Sequence, residues 1–95
     1  MTGPEATLER RCIKAARAAG GELIKLLPWA LRGLPDRLLL LPGGLVVFIE
    51  FKAPEGSLTR LQGYWRARLG QLGCRHAVVK TWEEFEALLP VSKSA

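Results

Sequence analysis

Apolar residues recur along this chain at two different periods, and the switches between them mark out its elements. Leu8, Cys12, Ala15, Ala16 and Ala19 step by three and four, predicting an amphipathic helix over residues 5–19 that Gly20 stops. Thr2 and Glu5 stand ahead of it in capping-box spacing. Residues 22–27 read as a strand. Two continuous apolar runs follow, 38–41 and 45–51, joined by Pro42-Gly43-Gly44, which is the signature of two strands and a tight hairpin turn. Helical steps return at Leu58, Leu61, Trp65, Leu69 and Leu72, expected as a buried seam, with Thr59 and Gln62 as the opening capping box. Residues 74–80 predict a fourth strand, and Thr81 with Glu84 caps a short last helix over 82–89. The order α-β-β-β-α-β-α predicts one α/β domain over residues 1–90, a single mixed sheet flanked by helices. Residues 91–95 are expected to fray.

The length of 95 residues supports one core and little more. Two cysteines, Cys12 and Cys74, lie far apart with no C-x-x-C spacing, so both are expected to be reduced core residues, and zinc is not expected. The lone histidine, His76, falls in the apolar run R-H-A-V-V and reads as a structural group rather than a catalytic one. No uncharged apolar run approaches the length of a membrane span and no basic-then-apolar leader opens the chain. A cytoplasmic protein is therefore expected, with no membrane partner.

Charge changes the picture more than composition does. The chain carries a net charge of +5, and residues 57–80 hold Arg60, Arg66, Arg68, Arg75 and Lys80 with no acid, while the remainder balances. A one-signed strip attracts a phosphate backbone. Alone, it equally fits a solubilising surface.

The hairpin supplies the chemistry. Asp36 opens its first strand, and Glu50 and Lys52 close its second. Alternation puts Glu50 and Lys52 on one face roughly 7 Å apart, and an antiparallel fold at Gly43-Gly44 brings Asp36 beside Glu50. A buried strand ends in ionisable groups only where they are paired or bind something, because an isolated buried charge is costly. Two carboxylates suit a hard cation, Mg²⁺ or Mn²⁺, with the Phe51 carbonyl as a further oxygen. Lys52 would then position a water or neutralise phosphate charge. A salt bridge from Lys52 to Asp36 or Glu50 is the plainer alternative. In the first helix Glu9 lines up with Ile13 and Ala16 beside the apolar stripe, opposite Arg10, Lys14 and Arg17. Glu9 and Glu5 also fit ordinary dipole-stabilising positions. Trp29 is either a core plug or a base-stacking surface, Arg32 and Arg37 flank Asp36, and Gln62 is either a cap or a group aimed at the site.

The G-L-P-D at Gly33 to Asp36, the P-G-G turn and the E-F-K at Glu50 to Lys52 resemble the VRR-Nuc branch of the PD-(D/E)XK nucleases. Glu9 ahead of Gly20-Gly21 and the run from Lys52 to Gly73, which includes Gln62, extend the likeness over nearly the whole chain. The resemblance implies a restriction-endonuclease-like α-β-β-β-α-β core with a short C-terminal helix. It implies a metal-dependent endonuclease in which Asp36, Glu50, Lys52, Glu9 and Gln62 form the catalytic site. Asp36, Glu50 and Phe51 would bind Mg²⁺ or Mn²⁺, with Glu5 as the competitor of Glu9. Arg32, Arg37, Arg60 and Arg66 are the expected DNA contacts.

Domains of this kind resemble phage resolvases of four-way (Holliday) junctions, which implies branched DNA, a homodimer and a bacterial or phage-infected host cell. Leu38 to Leu41, Trp29 and Trp82 are the candidate interface residues. A non-catalytic DNA-binding module with the same fold, or a small interaction protein with a salt-bridge cluster, are the alternatives.

Overall fold

The computed structural model describes residues 4–27 and 31–90, with side chains from residue 6. Helix α1 (Pro4–Ala18) leads to strands β1 (Glu22–Lys25), β2 (Arg37–Leu41) and β3 (Leu45–Phe51), then α2 (Arg60–Gln71), β4 (Arg75–Val79) and α3 (Trp82–Glu86). One four-stranded sheet runs in the order β1-β2-β3-β4. The first two pairings are antiparallel and β3 pairs β4 in parallel, with α2 as the crossover. The mixed α/β sheet and the element order are those expected. The ends differ by one to three residues, the usual fraying of terminal turns and pairs. Thr2, Trp29 and residues 91–95 lie outside the described residues, as does the side chain of Glu5.

Strand alternation sorts the sheet into two unequal faces. Leu23, Leu39, Leu41, Val47, Ile49, Phe51 and Val79 point to one side, where they form the core with Cys12 and Ala16 of α1 and Phe85 of α3. The small stripe of α1 lets its backbone approach closely. Gly21 continues this fit, since a methyl group there would fall 2.0 Å from the Leu40 carbonyl oxygen. The opposite face carries Leu38, Leu40, Val46, Phe48 and Glu50, and α2 covers it only in part. Of the seam expected on α2, Leu69 is buried, but Leu61 and Leu72 are 49% and 58% exposed. The helix therefore rests on the sheet through a narrower line than its apolar spacing suggests.

Cys12 is buried and free, and burial pushes its thiol up to about 12, offset in part by Arg11 and reinforced by Glu9. Cys74 follows α2 on the surface, so the expectation of two core cysteines holds for Cys12 alone. No helix among the described residues is long and apolar enough to cross a membrane.

Candidate active site

The site is built at one end of the sheet from the ends of two strands and the start of a helix. Pairing of β2 with β3 sets Arg37 opposite Ile49, and the same register continued by one residue sets Asp36 opposite Glu50. The carbonyl of Asp36 still accepts from the Leu26 amide at 2.8 Å, so its backbone remains in the sheet. Its Oδ2 accepts from the Phe51 amide at 2.9 Å. This bond holds the carboxylate against the peptide that follows Glu50.

Glu50 is 2% exposed and stands among the largest fully buried side chains. Gln62 reaches it from the first turn of α2, donating from Nε2 to Oε2 across 3.1 Å. The same amide closes a capping box, with its Oε1 accepting from the Thr59 amide at 2.8 Å and its backbone amide donating to Thr59 Oγ1. Gln62 is thus a helix cap whose side chain also reaches the buried Glu50 carboxylate.

The loop before Asp36 is fastened to the same helix. Trp65 donates from Nε1 to the Arg32 carbonyl at 3.1 Å. Gly33 adopts φ +86 and lies so close to α2 that an added methyl would sit 2.6 Å from the Leu61 Cβ. Both demands exclude other residues. Pro35 is fully buried and fixes the approach to Asp36. Lys52, half-buried, follows Glu50 by two residues, and its amide donates to the Val79 carbonyl at 3.1 Å. It lines a cleft of about 160 Å³ with Leu8, Ala53, Pro54, Lys80, Thr81 and Trp82.

With this geometry in view, the likeness to known proteins is specific. No protein-family model matches the chain. A protein of Acyrthosiphon pisum secondary endosymbiont phage 1, described as "Putative nuclease p44", is 35% identical over 86 residues, covering 90% of this chain and 91% of that protein. A solved structure described as a "VRR_NUC domain" superposes with a TM-score of 0.84 at 25% identity, over 92% of this chain and 95% of that one. The chain belongs to the VRR-Nuc family.

Not every residue expected at the VRR-Nuc site is gathered there. Glu9 accepts at Oε2 from Arg37 Nε across 2.6 Å, and both side chains are largely buried. Arg37 shares the strand face of Leu39 and Ile49, so the pair lies on the α1 side of the sheet, whereas Glu50 and Gln62 meet on the α2 side. The expected convergence of Glu9 on Asp36 is replaced by an ion pair because Arg37 offers a charge partner on the face α1 covers. Arg37 also donates to the Leu23 carbonyl at 3.4 Å, which makes it an internal strut rather than the open phosphate contact expected from sequence.

Among the described residues no three His, Cys, Asp or Glu side chains converge to hold a metal. The acids that the β2–β3 register sets opposite each other, Asp36 and Glu50, offer hard carboxylate oxygens. That set fits Mg²⁺ or Mn²⁺, which bind through one or two carboxylates and keep waters or phosphate for the rest.

The other expected DNA contacts of the VRR-Nuc chain are open to solvent. Arg32, Arg60 and Arg66 are exposed. Arg66 lines a cleft of about 470 Å³ with Gly56, Ser57, Leu58, Val78, Lys80 and Glu84. Lys80 was missing from the sequence reading of the site, where it counted only toward net charge. Its position two residues past Val78, the parallel partner of Glu50, could have indicated it.

Proposed function

We propose that this VRR-Nuc domain is a divalent-metal-dependent endonuclease that hydrolyses DNA phosphodiesters in branched substrates such as four-way junctions. The placement of Asp36 opposite Glu50, with Gln62 bonded to Glu50, carries the reading, because two carboxylates at one sheet end are the hard oxygen ligands that a divalent cation prefers. Asp36, Glu50 and the Phe51 carbonyl would hold Mg²⁺ or Mn²⁺. The metal supplies an activated water and charge neutralisation at the scissile phosphate. Lys52 positions that water and offsets charge developing on the phosphate. Gln62 orients the Glu50 carboxylate through their hydrogen bond. The arginines of α2 attract the phosphate backbone on the same side of the sheet, as expected for a protein working among nucleic acid in the cytoplasm.

The working unit we propose is a homodimer. A twofold pair doubles the single site and matches the symmetry of a four-way junction. Ile24, Val46, Leu61 and Leu72 support it, being exposed apolar residues of α2 and of the sheet face that α2 covers incompletely. Of the interface anticipated from Leu38 to Leu41, Leu38 and Leu40 lie on that sheet face. Leu39 and Leu41 are core residues, and Trp82 is half-buried against Phe85 with the Arg11 guanidinium 3.9 Å from its ring centre.

One assay separates the alternatives. Single-stranded, duplex, flap, fork and four-way-junction DNA are incubated with Mg²⁺, Mn²⁺ or EDTA, and the mass of the free and bound protein is followed by light scattering. The expected result is metal-dependent cleavage, fastest on branched DNA, by a dimer. Binding without turnover in any metal would mark a DNA-binding module. Equal cutting of duplex and junction would remove the structure selectivity, and a monomer in both states would remove the dimer.

A further inference from the structure

We infer that the outer face of α2 is a binding surface for an unpaired DNA base, with Tyr64 as the stacking platform and Arg60 and Arg68 as the contacts to flanking phosphates. The inference rests on the nuclease reading in taking DNA as the partner, and adds the feature of the substrate that is recognised.

Helical steps of four place Arg60, Tyr64 and Arg68 in one row, and all three are exposed. Tyr64 is 57% exposed, a large aromatic surface to leave in water. Its ring is nonetheless held in place. Trp65 packs edge-on against it, with centroids 5.3 Å apart and planes at 84°, and Trp65 is itself fixed by its bond to the Arg32 carbonyl. The platform is therefore largely pre-ordered, which lowers the entropy lost when a base stacks on it.

Beside the ring, Tyr64, Ala67, Arg68 and Gln71 line a cleft of about 410 Å³. The small side chain of Ala67 leaves one edge of it low. Gly63 and Gly70 lie on the same helix where an added methyl would meet nothing within 4 Å, so packing within the fold does not require glycine at either position. Their bare backbone leaves room for a strand to lie close. The charge is one-signed, with no acid in the first turn of α2 or anywhere from residue 57 to 80. An aromatic face between two arginines suits an unstacked base and its phosphates, and suits neither an acidic patch lacking aromatics nor a fully paired duplex whose bases are closed. The row begins at the N-terminal turn of α2 that also carries Gln62, so a strand gripped there lies about one helix diameter, roughly 10 Å, from the acidic site.

The test compares a blunt duplex with the same duplex carrying a single-stranded tail that contains a fluorescent adenine analogue, in EDTA at fixed salt. Wild-type protein should bind the tailed DNA more tightly and quench the analogue. Tyr64→Ala should lose about tenfold in affinity for the tailed DNA, the scale of one base–aromatic stack, together with the quenching. Its affinity for blunt duplex and its circular dichroism should not change. Tyr64→Trp should restore both losses. Unaltered tail binding by Tyr64→Ala, or an equal loss on both DNAs, would overturn the inference while leaving the nuclease reading intact. A tail-specific loss that Trp does not rescue, accompanied by a fall in molecular mass, would also overturn it, by making Tyr64 a contact between copies of the chain. Failure of the wild type to bind or cut any DNA would instead defeat the nuclease reading and this inference with it.

Discussion

The amide of Phe51 donates to Oδ2 of Asp36 across 2.9 Å, one peptide beyond the buried carboxylate of Glu50. The bond ties the two acids of the site to a single rigid stretch of β3. Asp36→Asn keeps an oxygen that can accept from Phe51, and Glu50→Gln keeps the shape of the side chain, so each should fold. On the proposed mechanism each also removes a charged metal ligand that no neighbour replaces, and cleavage should be abolished. Single-turnover cleavage in Mg²⁺, with thermal melts as the folding control, checks this. Robust activity in either folded variant would remove the metal assignment.

On the proposed mechanism Lys52 serves catalysis without holding the metal. Lys52→Ala should leave Mn²⁺ affinity close to that of the wild type and slow single-turnover cleavage on the order of a hundredfold or more, the scale for losing one positioned catalytic group. An unchanged rate would reduce Lys52 to a surface group of the cleft it shares with Trp82 and Lys80.

The hairpin and its charged end were legible in the sequence because both depend on local rules. Alternation and a glycine turn fix which residues of β2 and β3 face each other, and Asp36 falls opposite Glu50 by counting alone. Gln62 was legible as a cap, since a capping box is a local pair of residues three positions apart, but its bond to Glu50 depends on where α2 lies over the sheet. The partner of Glu9 was not legible. A helix stripe shows that Glu9 borders the packed face, yet which strand residue meets it depends on the crossing of α1 over β2, and Arg37 was expected to contact DNA. The apolar spacing of α2 misled for a related reason. Spacing marks a face that prefers burial, yet α2 meets the sheet along a narrow line that leaves Leu61 and Leu72 in solvent.

Arg66 tests the basic side. Arg66→Glu should weaken binding to all DNA sequences alike and lower the salt slope of binding by about 1 or more, as for phosphate contacts rather than base readout. The neighbouring acid in its cleft, Glu84, accepts at Oε1 from the Lys80 and Thr81 amides at 2.7 and 3.1 Å, so it is held toward the backbone. Normal duplex binding by the variant at low and moderate salt would discredit the positive face.

His76 predicts a pH dependence of stability. It lies on the α2 face in register with Phe48, its Nδ1 buried without a hydrogen-bond partner among the described residues. Burial first, and the nearby Arg66 second, hold it below its ordinary value of 6.5. The unfolded chain therefore takes up a proton that the folded chain refuses. Stability should be full above pH 6.5 and should fall as pH drops from there toward the folded value. His76→Gln should flatten that segment of the melting curve against pH. Arg66→Gln should raise the pKa of His76 in an NMR titration by removing the second cause. A melting temperature of the wild type that is level through this range, relative to His76→Gln, would contradict the assignment.

The Glu9–Arg37 pair links α1 to the residue after Asp36, so its loss should act on stability and on the site differently. Glu9→Gln leaves the Arg37 guanidinium largely buried with a weaker acceptor, and a charged hydrogen bond of this kind contributes about 1.5–3 kcal/mol. Arg37→Met should cost a similar amount, since it leaves Glu9 facing an apolar chain. Because the two residues act through each other, the double variant should cost less than the sum of the singles in a thermodynamic cycle. Mn²⁺ affinity decides what else Glu9 does. Held on the α1 side of the sheet, Glu9 should leave that affinity unchanged when it is replaced by Gln, and the cleavage rate should fall only as far as Asp36 is loosened. A loss of Mn²⁺ affinity in Glu9→Gln but not in Arg37→Met would show that Glu9 leaves Arg37 to join Asp36 and Glu50 when the metal binds.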